Sequence, residues 1–396
     1  MTAPAADQVR AFREHLARTL QAGGVLTAEW RAAYDAVPRH QFLPEVMWLP
    51  DEHGHTVLDR RTDPERWWQA AYQDVPLVTQ FDDAPRRDGD REPGKRPTSS
   101  NSMPTMVFGM LKHLDIEPGQ RVLEIGTGTG WNAALLAARL GDDAVVTIEL
   151  DPDVASEAQA GLRRAGHHVA VVTADGAGGW PARAPYDRVI CTASVTSIPP
   201  AWIEQCRPGG VIVVPWVPLY GGEGVVRLTV TEDGIAAGPF VGSSAFMPLR
   251  AHRFRRTPHE RYLPNGWPGD ADKSTTTLSP TEVVDDWITE FAIGVQLRDV
   301  YWIREDYEDG THTLWLYDAA VTAWASVDWE PGRTEFEVHQ SGPRRLWDEV
   351  TVAWRWWQDR GRPEWDRFGL TVTEGGEQVW LDKPTQLVAL PDRMRS

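Results

Sequence analysis

The sequence contains only two cysteines in 396 residues, Cys191 and Cys206. Both lie within apolar stretches, so we expect buried free thiols in a reducing compartment rather than a disulfide or a metal site. No apolar run approaches the roughly 20 residues that span a bilayer, and no signal-type apolar segment begins the sequence. The sequence therefore predicts a cytoplasmic protein that has no membrane partner, and a monomer is favoured although the sequence does not define the oligomeric state.

Basic residues are fewer than acidic ones, with 40 Lys and Arg against 57 Asp and Glu, which gives a net charge of −17. Nucleic-acid binding depends on Lys and Arg at the phosphates. The composition therefore argues against a nucleic-acid partner and favours a basic or neutral peptide. The length predicts two or three domains.

One glycine-rich stretch organises the chain. Residues 121–125 are an apolar strand candidate, Gly126, Gly128 and Gly130 follow at alternate positions, and residues 131–140 have a helical pattern. Glycines in a strand-to-helix turn let a ligand lie directly on the backbone. The next strand candidate, residues 144–148, ends at Glu149, whose carboxylate suits both hydroxyls of a ribose.

A dinucleotide site has a similar glycine turn, and an ordinary tight turn in an α/β domain is a further alternative. The acid before the turn favours a third interpretation. Glu124 precedes Gly126 by two residues, and Glu-x-Gly-x-Gly-x-Gly resembles the methyltransferase version of this turn rather than the Gly-x-Gly-x-x-Gly of NAD enzymes. A carboxylate here suits a ligand that carries an ammonium group, such as S-adenosylmethionine.

The alternation of strands and helices continues after Glu149. Helical patterns cover residues 152–165 and 200–205, and strand candidates cover 169–172, 186–191 and 211–216. Asp175 follows a strand at the carboxyl edge of the sheet, where it can accept from an adenine amino group. The pattern predicts an α/β, Rossmann-like domain with a largely parallel sheet, to which residues 226–230 and 238–241 add antiparallel strands.

The segments on either side of this domain differ from it. Before it, helical patterns cover residues 8–20 and a stretch after Thr27, a predicted N-cap, whereas 51–66 and 82–97 are polar and predict loops. After residue 260, twelve of the twenty tryptophans occur among strand patterns at 291–303, 312–317, 322–327, 334–338, 368–372 and 378–381 and a helix pattern at 344–359. We predict an N-terminal helical part (1–101), a cofactor domain (102–245) and a C-terminal α+β domain (246–396). Its tryptophans are interpreted as core, with a peptide-binding surface as the alternative.

Four motifs together resemble the protein-L-isoaspartate O-methyltransferase family. They are Val-Pro-Arg-His-Gln-Phe-Leu-Pro at 37–44, Ser-Met-Pro-Thr-Met-Val at 102–107, Ala-Asp-Gly at 174–176 with Ala-Pro-Tyr-Asp at 184–187, and Arg-Pro-Gly-Gly at 207–210. The resemblance covers roughly residues 30 to 217. It implies a class I S-adenosylmethionine-dependent methyltransferase fold and S-adenosylhomocysteine as product.

The resemblance also implies roles for individual residues. The family's serine in Ser-x-Pro contacts the substrate carboxyl, and that role falls on Ser102. The cofactor positions of the family are matched by Glu124, Gly126, Gly128, Glu149 and Asp175, and the predicted cofactor site also includes Thr127, Thr129, Gly130, Asn132, Leu150 and Gly176.

The residues expected to contact the substrate differ from those of the common family member, the enzyme that repairs isoaspartyl residues. Met103 stands where Gln or Ala is usual, and residues 95–99 replace the glycine-rich segment that precedes the serine in the family. The polar segments 51–66 and 82–97 are insertions relative to the family. Residues 342–349 and 367–373 are similar to actinobacterial homologues that act on ribosomally made, modified peptides. This resemblance implies methylation of an aspartate in a precursor peptide, macrocyclised beforehand, whose ester closes to an aspartimide. Isoaspartate repair and a catalytically inactive peptide-binding protein are the alternatives.

Overall fold

The computed structural model describes residues 6–52, 54–84, 91–284 and 286–388. The chain forms two compact units. The first comprises Met1–Ala193, Pro199–Val214 and Arg227–Ala236, and the second comprises Ser194–Ile198, Pro215–Val226 and Ala237–Ser396. Neither unit is one continuous segment of chain. The domain limits proposed at residues 101 and 245 stay predictions.

The helices of the first unit are α1 (Ala6–Ala22), α2 (Ala28–Ala36), α3 (Pro64–Ala71), α4 (Pro104–Leu114), α5 (Trp131–Leu140), α6 (Pro152–Arg164) and α7 (Pro200–Glu204). Up to Ser243 the strands are β1 (Val46–Asp51), β2 (Gly54–Asp59), β3 (Leu77–Phe81), β4 (Pro97–Asn101), β5 (Val122–Ile125), β6 (Val145–Glu149), β7 (Ala170–Thr173), β8 (Tyr186–Cys191), β9 (Cys206–Trp216), β10 (Gly224–Val230) and β11 (Ala236–Ser243). The predicted βα alternation from β5 to β9 is confirmed.

A parallel sheet in the order β9-β8-β5-β6-β7 forms the centre of the first unit. Ile125, the last residue of β5, pairs with Ile148 on one side and with Cys191 on the other. The chain order therefore reverses at β5. Ligands bind at the carboxyl ends of strands at such a switch point, so the sheet places the glycine turn where a site is expected.

Buried apolar side chains make these strands the core, and local signals set the helix starts. Three of the four buried residues of β5 are apolar, and Val189, Ile190 and Cys191 of β8 are buried as well. Helix α6 begins with Pro152 because its ring suits the first helical position, and the Asp151 carboxylate accepts from the amides of Asp153 (3.0 Å) and Val154 (3.3 Å). Cys191 and Cys206 are buried free thiols, as predicted, and burial raises the pKa of Cys206 to about 12.

A four-stranded antiparallel sheet, β2-β1-β3-β4, lies in the N-terminal part. The prediction of a loop over residues 51–66 is wrong, because β2 pairs with β1 along its whole length and α3 begins at Pro64. A few apolar residues, including the buried Leu58, suffice to order this polar segment. Within the second predicted loop, residues 85–90 lie outside the described residues, and β4 begins at Pro97.

The second unit contains helices α8 (Trp287–Gly294) and α9 (Leu346–Asp359) and strands β12 (Asp272–Thr276), β13 (Val300–Asp306), β14 (His312–Asp318), β15 (Trp324–Trp329), β16 (Phe336–Ser341), β17 (Phe368–Thr373) and β18 (Gly376–Leu381). An antiparallel sheet has the order β12-β16-β15-β14-β13. Leu314 and Leu316 pack in one core with Trp347 of α9, whereas Trp315 and Tyr317 pack in a second cluster with Tyr262. Because side chains alternate along a strand, the two clusters cover opposite faces of the sheet.

The predicted strand at 291–303 is wrong for residues 291–299, because 291–294 belong to α8 and β13 begins only at Val300. A short apolar run does not distinguish a buried strand from a buried helix, and the Asp286 carboxylate caps the helix by accepting from the Ile288 amide at 3.3 Å. Of the twelve tryptophans after residue 260, five are buried and three more pack against a buried core, which agrees with the core interpretation, but Trp267 and Trp287 are 50% and 46% exposed. No helix in the described ranges is both long and apolar enough to cross a membrane.

Gly222 tests how closely the second unit is packed. Its φ is +71°, and a Cβ atom there would lie 2.3 Å from the Trp287 carbonyl oxygen and 2.4 Å from the Phe291 amide nitrogen. Gly266 has nearly the same φ, +72°, with no atom within 4 Å of a Cβ. We expect Gly266→Ala to lower the free energy of unfolding by about 1 kcal/mol and Gly222→Ala by about 3 kcal/mol. Urea denaturation measures both, and equal losses would contradict the close packing.

Candidate active site

The glycine turn has the conformation that its sequence predicts. Gly126, Gly128 and Gly130 have φ values of +89°, +53° and +87°. A Cβ on Gly126 would lie 2.9 Å from the Thr192 hydroxyl oxygen, and one on Gly128 would lie 3.3 Å from the Ser100 carbonyl oxygen. Glycine is therefore required at Gly126 both by its backbone angle and by its surroundings. The Gly126 and Thr127 amides donate to the Ile148 carbonyl oxygen at 2.9 and 3.1 Å, which fixes the turn against the end of β6.

Glu124 is fully buried directly before this turn. Its Oε1 atom accepts a hydrogen bond from the Asn132 amide at 2.7 Å, and its Oε2 atom has no partner among the described residues. Burial raises the pKa of Glu124 to about 7. Burying a carboxylate oxygen without a hydrogen-bond partner is unfavourable unless a ligand donates a hydrogen bond to it. A cationic group is the donor that best suits a carboxylate.

The other predicted acids lie at the ends of neighbouring strands. The Glu149 carboxylate accepts from the amides of Gly128 (3.0 Å) and Asp151 (3.1 Å), while burial raises the pKa of Glu149. Asp175 is exposed and accepts from the Ala177 amide at 3.0 Å. Both side chains therefore have a fixed orientation and retain oxygen lone pairs for further hydrogen bonds.

The remaining predicted cofactor positions have distinct surroundings. The Thr127 hydroxyl is buried and lies 2.7 Å from the Thr147 hydroxyl, and Leu150 is 37% exposed. A Cβ on Gly176 would lie 2.5 Å from the Ile125 side chain, so the strand end at Asp175 packs closely on β5. The structure thus brings the positions from Glu124 to Gly176 to one edge of the parallel sheet.

Ser102 lies next to this edge, between β4 and α4. The Asn101 amide donates to the Thr129 hydroxyl at 2.8 Å, which ties the end of β4 to the glycine turn. Ser102 is half-buried, and no hydrogen bond to its hydroxyl occurs within the described part of the chain. Its hydroxyl is therefore available to a substrate.

Arg39 fixes the backbone of this segment. Its guanidinium is 1% exposed and donates to the Asn101 side-chain oxygen at 2.6 Å. It also donates to the carbonyl oxygens of Gln73 (2.9 Å), Val75 (2.8 Å) and Ser102 (3.0 Å). Burial lowers the pKa of Arg39 to about 9, which leaves the group charged at neutral pH.

Helix α4 is anchored beside Ser102 by Asp74. The Asp74 carboxylate accepts from the amide of Thr105 at 2.8 Å and from its hydroxyl at 2.5 Å. The Thr105 amide belongs to the first turn of α4 and has no acceptor within the helix. The Asp74 carboxylate therefore both satisfies this amide and lies at the positive end of the helix dipole. The backbone on both sides of Ser102 is thus held by charged groups.

A cavity of about 380 Å³ borders the glycine turn at Gly128 and Thr129. Residues 42–46, β3, β4 and one side of α6 form its walls, and charged side chains of both signs, including Arg61, Glu157 and Arg164, line it. Its volume falls within the range of small-molecule sites. The charged lining makes it suitable for a polar ligand.

Three contributions to this site are not predicted from the sequence. Arg39 belongs to one of the family motifs but receives no role there, and its neighbours Pro38 and His40 give no local signal of burial. Thr192 follows a strand, and its hydroxyl donates to the Gly126 carbonyl oxygen at 2.5 Å. No signal in the sequence points to the side of α6 that lines the cavity. In the described ranges, no group of three or more His, Cys, Asp or Glu side chains is arranged to hold a metal ion.

Comparisons with known proteins agree with this geometry. The sequence profile of the family described as Protein-L-isoaspartate(D-aspartate) O-methyltransferase (PCMT) matches residues 56–253. The protein-L-isoaspartate O-methyltransferase of Pyrococcus horikoshii is 40% identical over 149 residues, which are 37% of this chain and 67% of that protein. The enzyme of the same name from Methanopyrus kandleri is 34% identical over 244 residues, 61% of this chain and 92% of that protein.

The fold is similar to that of a solved protein-L-isoaspartate O-methyltransferase. The TM-score is 0.53 at 20% identity, and the alignment covers 94% of this chain and all of that chain. The likeness in fold therefore extends beyond the segment that the family profile matches.

These matches confirm the predicted fold class, the predicted class of enzyme and S-adenosylmethionine as the methyl donor. The substrate class is a protein or a peptide. With its glycine turn, its acids at the strand ends and its match to the family profile over residues 56–253, the chain belongs to the protein-L-isoaspartate O-methyltransferase family.

Proposed function

We propose that this chain methylates the side-chain carboxylate of an ordinary aspartate in a ribosomally made, macrocyclised precursor peptide, and that the ester then closes to an aspartimide. The observation that carries the proposal is the half-buried Ser102, held at the glycine turn by Arg39 and Asn101 with its hydroxyl available. The altered residues around Ser102 and the tryptophan-rich second unit favour a specialised peptide over a damaged protein.

The residues of the site fit the methyl donor. The unpartnered Glu124 Oε2 atom suits its ammonium group, the Glu149 carboxylate suits the ribose hydroxyls, and Asp175 suits the adenine amino group. S-adenosylmethionine supplies an electrophilic methyl group when it is bound. The chain's contribution is to hold donor and acceptor in line and to exclude water, for which effective molarities are worth roughly 7 to 11 kcal/mol.

The acceptor needs no general base. The pKa of an aspartate side chain in an unstructured peptide is about 3.9, so this carboxyl is ionised at neutral pH and Ser102 has only to donate a hydrogen bond that orients it. The methyl ester is then open to attack by the backbone nitrogen of the following residue. A C–N bond forms, the ester C–O bond breaks, and methoxide leaves with the amide proton as methanol. The product is a five-membered imide.

A second candidate function is the repair of isoaspartyl residues in damaged proteins. The names of the relatives from Pyrococcus horikoshii and Methanopyrus kandleri favour it. The chemistry is the same, and the two functions differ in the carboxylate that the site accepts.

Two substrates distinguish these functions. The enzyme is incubated with S-adenosylmethionine and either a generic isoaspartyl peptide or a candidate precursor peptide encoded beside its gene, both linear and cyclised. We expect intact-mass analysis to show gain of a methyl group and then loss of methanol on the cyclised precursor alone. Efficient turnover of the generic isoaspartyl peptide would assign the chain to repair instead.

Ser102→Ala tests the orientation of the substrate. Loss of one hydrogen bond to a charged group should lower kcat/KM roughly 10- to 100-fold, with little change in the affinity for S-adenosylhomocysteine. Ser100→Ala, which keeps the backbone carbonyl next to Gly128, is the matched control in methylation assays and should retain activity. Weakened cofactor binding in Ser102→Ala would show that this residue has a different role.

Glu124→Gln tests the contact with the ammonium group. Because burial raises the pKa of Glu124 to about 7, the wild-type carboxyl is protonated at pH 6 and ionised at pH 8. A cation binds the ionised form, so the dissociation constant of S-adenosylhomocysteine should rise about tenfold from pH 8 to pH 6. Calorimetry at both pH values should show weaker binding in Glu124→Gln that does not depend on pH. The same pH dependence in both proteins would exclude Glu124 as its source.

The second unit is best tested by substitutions. A truncation at residue 260 would remove Leu314 and Trp347, which lie in the same core cluster as Tyr220. Such a truncation would therefore expose apolar surface as well as remove any surface that recognises the peptide.

A further inference from the structure

An arginine-rich segment interrupts the acidic sequence of the second unit. Residues 250–261 read Arg-Ala-His-Arg-Phe-Arg-Arg-Thr-Pro-His-Glu-Arg and contain five arginines and a single acid, in a chain whose net charge is −17. The segment lies between β11 and β12. Its charge is therefore opposite in sign to that of the chain as a whole.

Three of these arginines are exposed and unpaired. Arg255, Arg256 and Arg261 form no ion pair or side-chain hydrogen bond with any residue in the described ranges. Several other arginines of the same unit have acidic partners: Arg333 bonds to Glu330 (2.8 Å), Arg345 to Asp272 (2.6 Å) and Arg367 to Asp382 (2.7 Å). Arg355 is also exposed without a partner in the described ranges, but it stands alone on α9 rather than in an arginine-rich segment. The three unpaired guanidinium groups are thus available to carboxylates from outside the chain.

The segment is supported by the aromatic cluster on one face of the sheet. The Phe254 ring is 43% exposed and packs edge-on against Tyr301 at 5.0 Å between ring centroids. The Tyr262 hydroxyl donates to the Asp318 carbonyl oxygen at 2.7 Å, and a His259 ring nitrogen lies 2.5 Å from the Tyr317 hydroxyl. These contacts give the segment a fixed base, from which Phe254 and the arginines project.

The start of the segment is also held in place. The His252 ring lies within 3.2 Å of the Thr196 amide and 3.1 Å of its hydroxyl, and the Leu249 amide donates to the Ser194 carbonyl oxygen at 3.0 Å. A fixed, partly apolar and cationic surface loses little entropy when a ligand binds.

We propose that Phe254, Arg255, Arg256 and Arg261 form a docking surface for an acidic segment of the peptide substrate. The planar guanidinium groups bind carboxylates in a bidentate manner, and Phe254 contacts an apolar side chain between them. The identification of the ligand as the peptide substrate rests on the proposed function. The expectation that the surface binds acidic groups does not depend on it.

The net charge of the chain does not oppose this docking. At physiological ionic strength charges are screened beyond about 8 Å, so a bound peptide experiences the arginines it touches rather than distant carboxylates. The expectation of a basic or neutral peptide, drawn from the net charge, does not apply to this surface. Three arginines beside Glu260 are too few for tight binding of a polyphosphate chain, which favours a peptide over a nucleic acid.

Binding of a labelled peptide tests the surface apart from catalysis. The probe is a fluorescein-labelled peptide of alternating glutamate and glycine, and its glutamine counterpart measures the contribution of charge. We expect the full chain to bind the glutamate probe more tightly, and higher salt to weaken that binding. Arg255→Glu/Arg256→Glu should weaken it at least about tenfold, because two attractive pairs become repulsive. Anisotropy titrations measure each affinity.

Arg355→Glu/Lys383→Glu is the matched control. It changes the net charge equally at exposed positions of the same unit and should leave binding of the glutamate probe unchanged. In the methylation assay, the Arg255→Glu/Arg256→Glu variant should raise KM for a peptide with acidic flanks and leave kcat unchanged.

Three outcomes would overturn the proposal. They are equal affinity for the glutamate and glutamine probes, an equal loss of affinity for the glutamate probe in Arg255→Glu/Arg256→Glu and in Arg355→Glu/Lys383→Glu, and arginine-dependent binding of a single-stranded oligonucleotide that is tighter than binding of the glutamate probe. Arginine-dependent binding of the glutamate probe by a protein that methylates neither test substrate would support the docking surface and refute the proposed function.

Discussion

The burial of one charged side chain, Arg39, determines the arrangement of the substrate side of the first unit. Its guanidinium group joins residues 71–75 to the end of β4 through six hydrogen bonds, and it lies 5.5 Å from the centre of the Trp131 ring at the start of α5. A buried cation is unfavourable unless its donors are satisfied, so each of these carbonyl groups has to be in place for the charge to be tolerated. The position of Ser102 thus depends on segments distant in sequence.

The cofactor-binding edge of the parallel sheet could be predicted from the sequence because several local signals there indicate the same structure. Apolar strands, glycines at positive φ and acids at strand ends all indicate the same turn, and Trp131–Leu140 and Tyr186–Cys191 have the predicted bounds. The prediction was wrong where tertiary contacts decide the structure. The hairpin of β1 and β2 forms in a polar segment, and α8 occupies an apolar run that resembled a strand.

The roles of individual polar residues were harder to predict than the fold. Nothing in the sequence indicates that Asn132 bonds to Glu124, because that contact depends on the angle between β5 and α5. Similarly, a net charge describes the whole chain, whereas recognition depends on the few charges at one surface. The arginines at 255, 256 and 261 become notable only when the structure shows which other arginines already have acidic partners.

The interrupted course of the chain through its two units has a consequence for synthesis on the ribosome. Trp216 and the Ile198 amide both bond to Glu377, about 160 residues or more further along the chain. At roughly 5 to 20 residues per second, these early segments wait on the order of ten seconds or more for their partner. During that interval Trp216 and Tyr220 lack the later residues that bury them in the folded chain, so these apolar side chains stay exposed to water until synthesis has passed those residues.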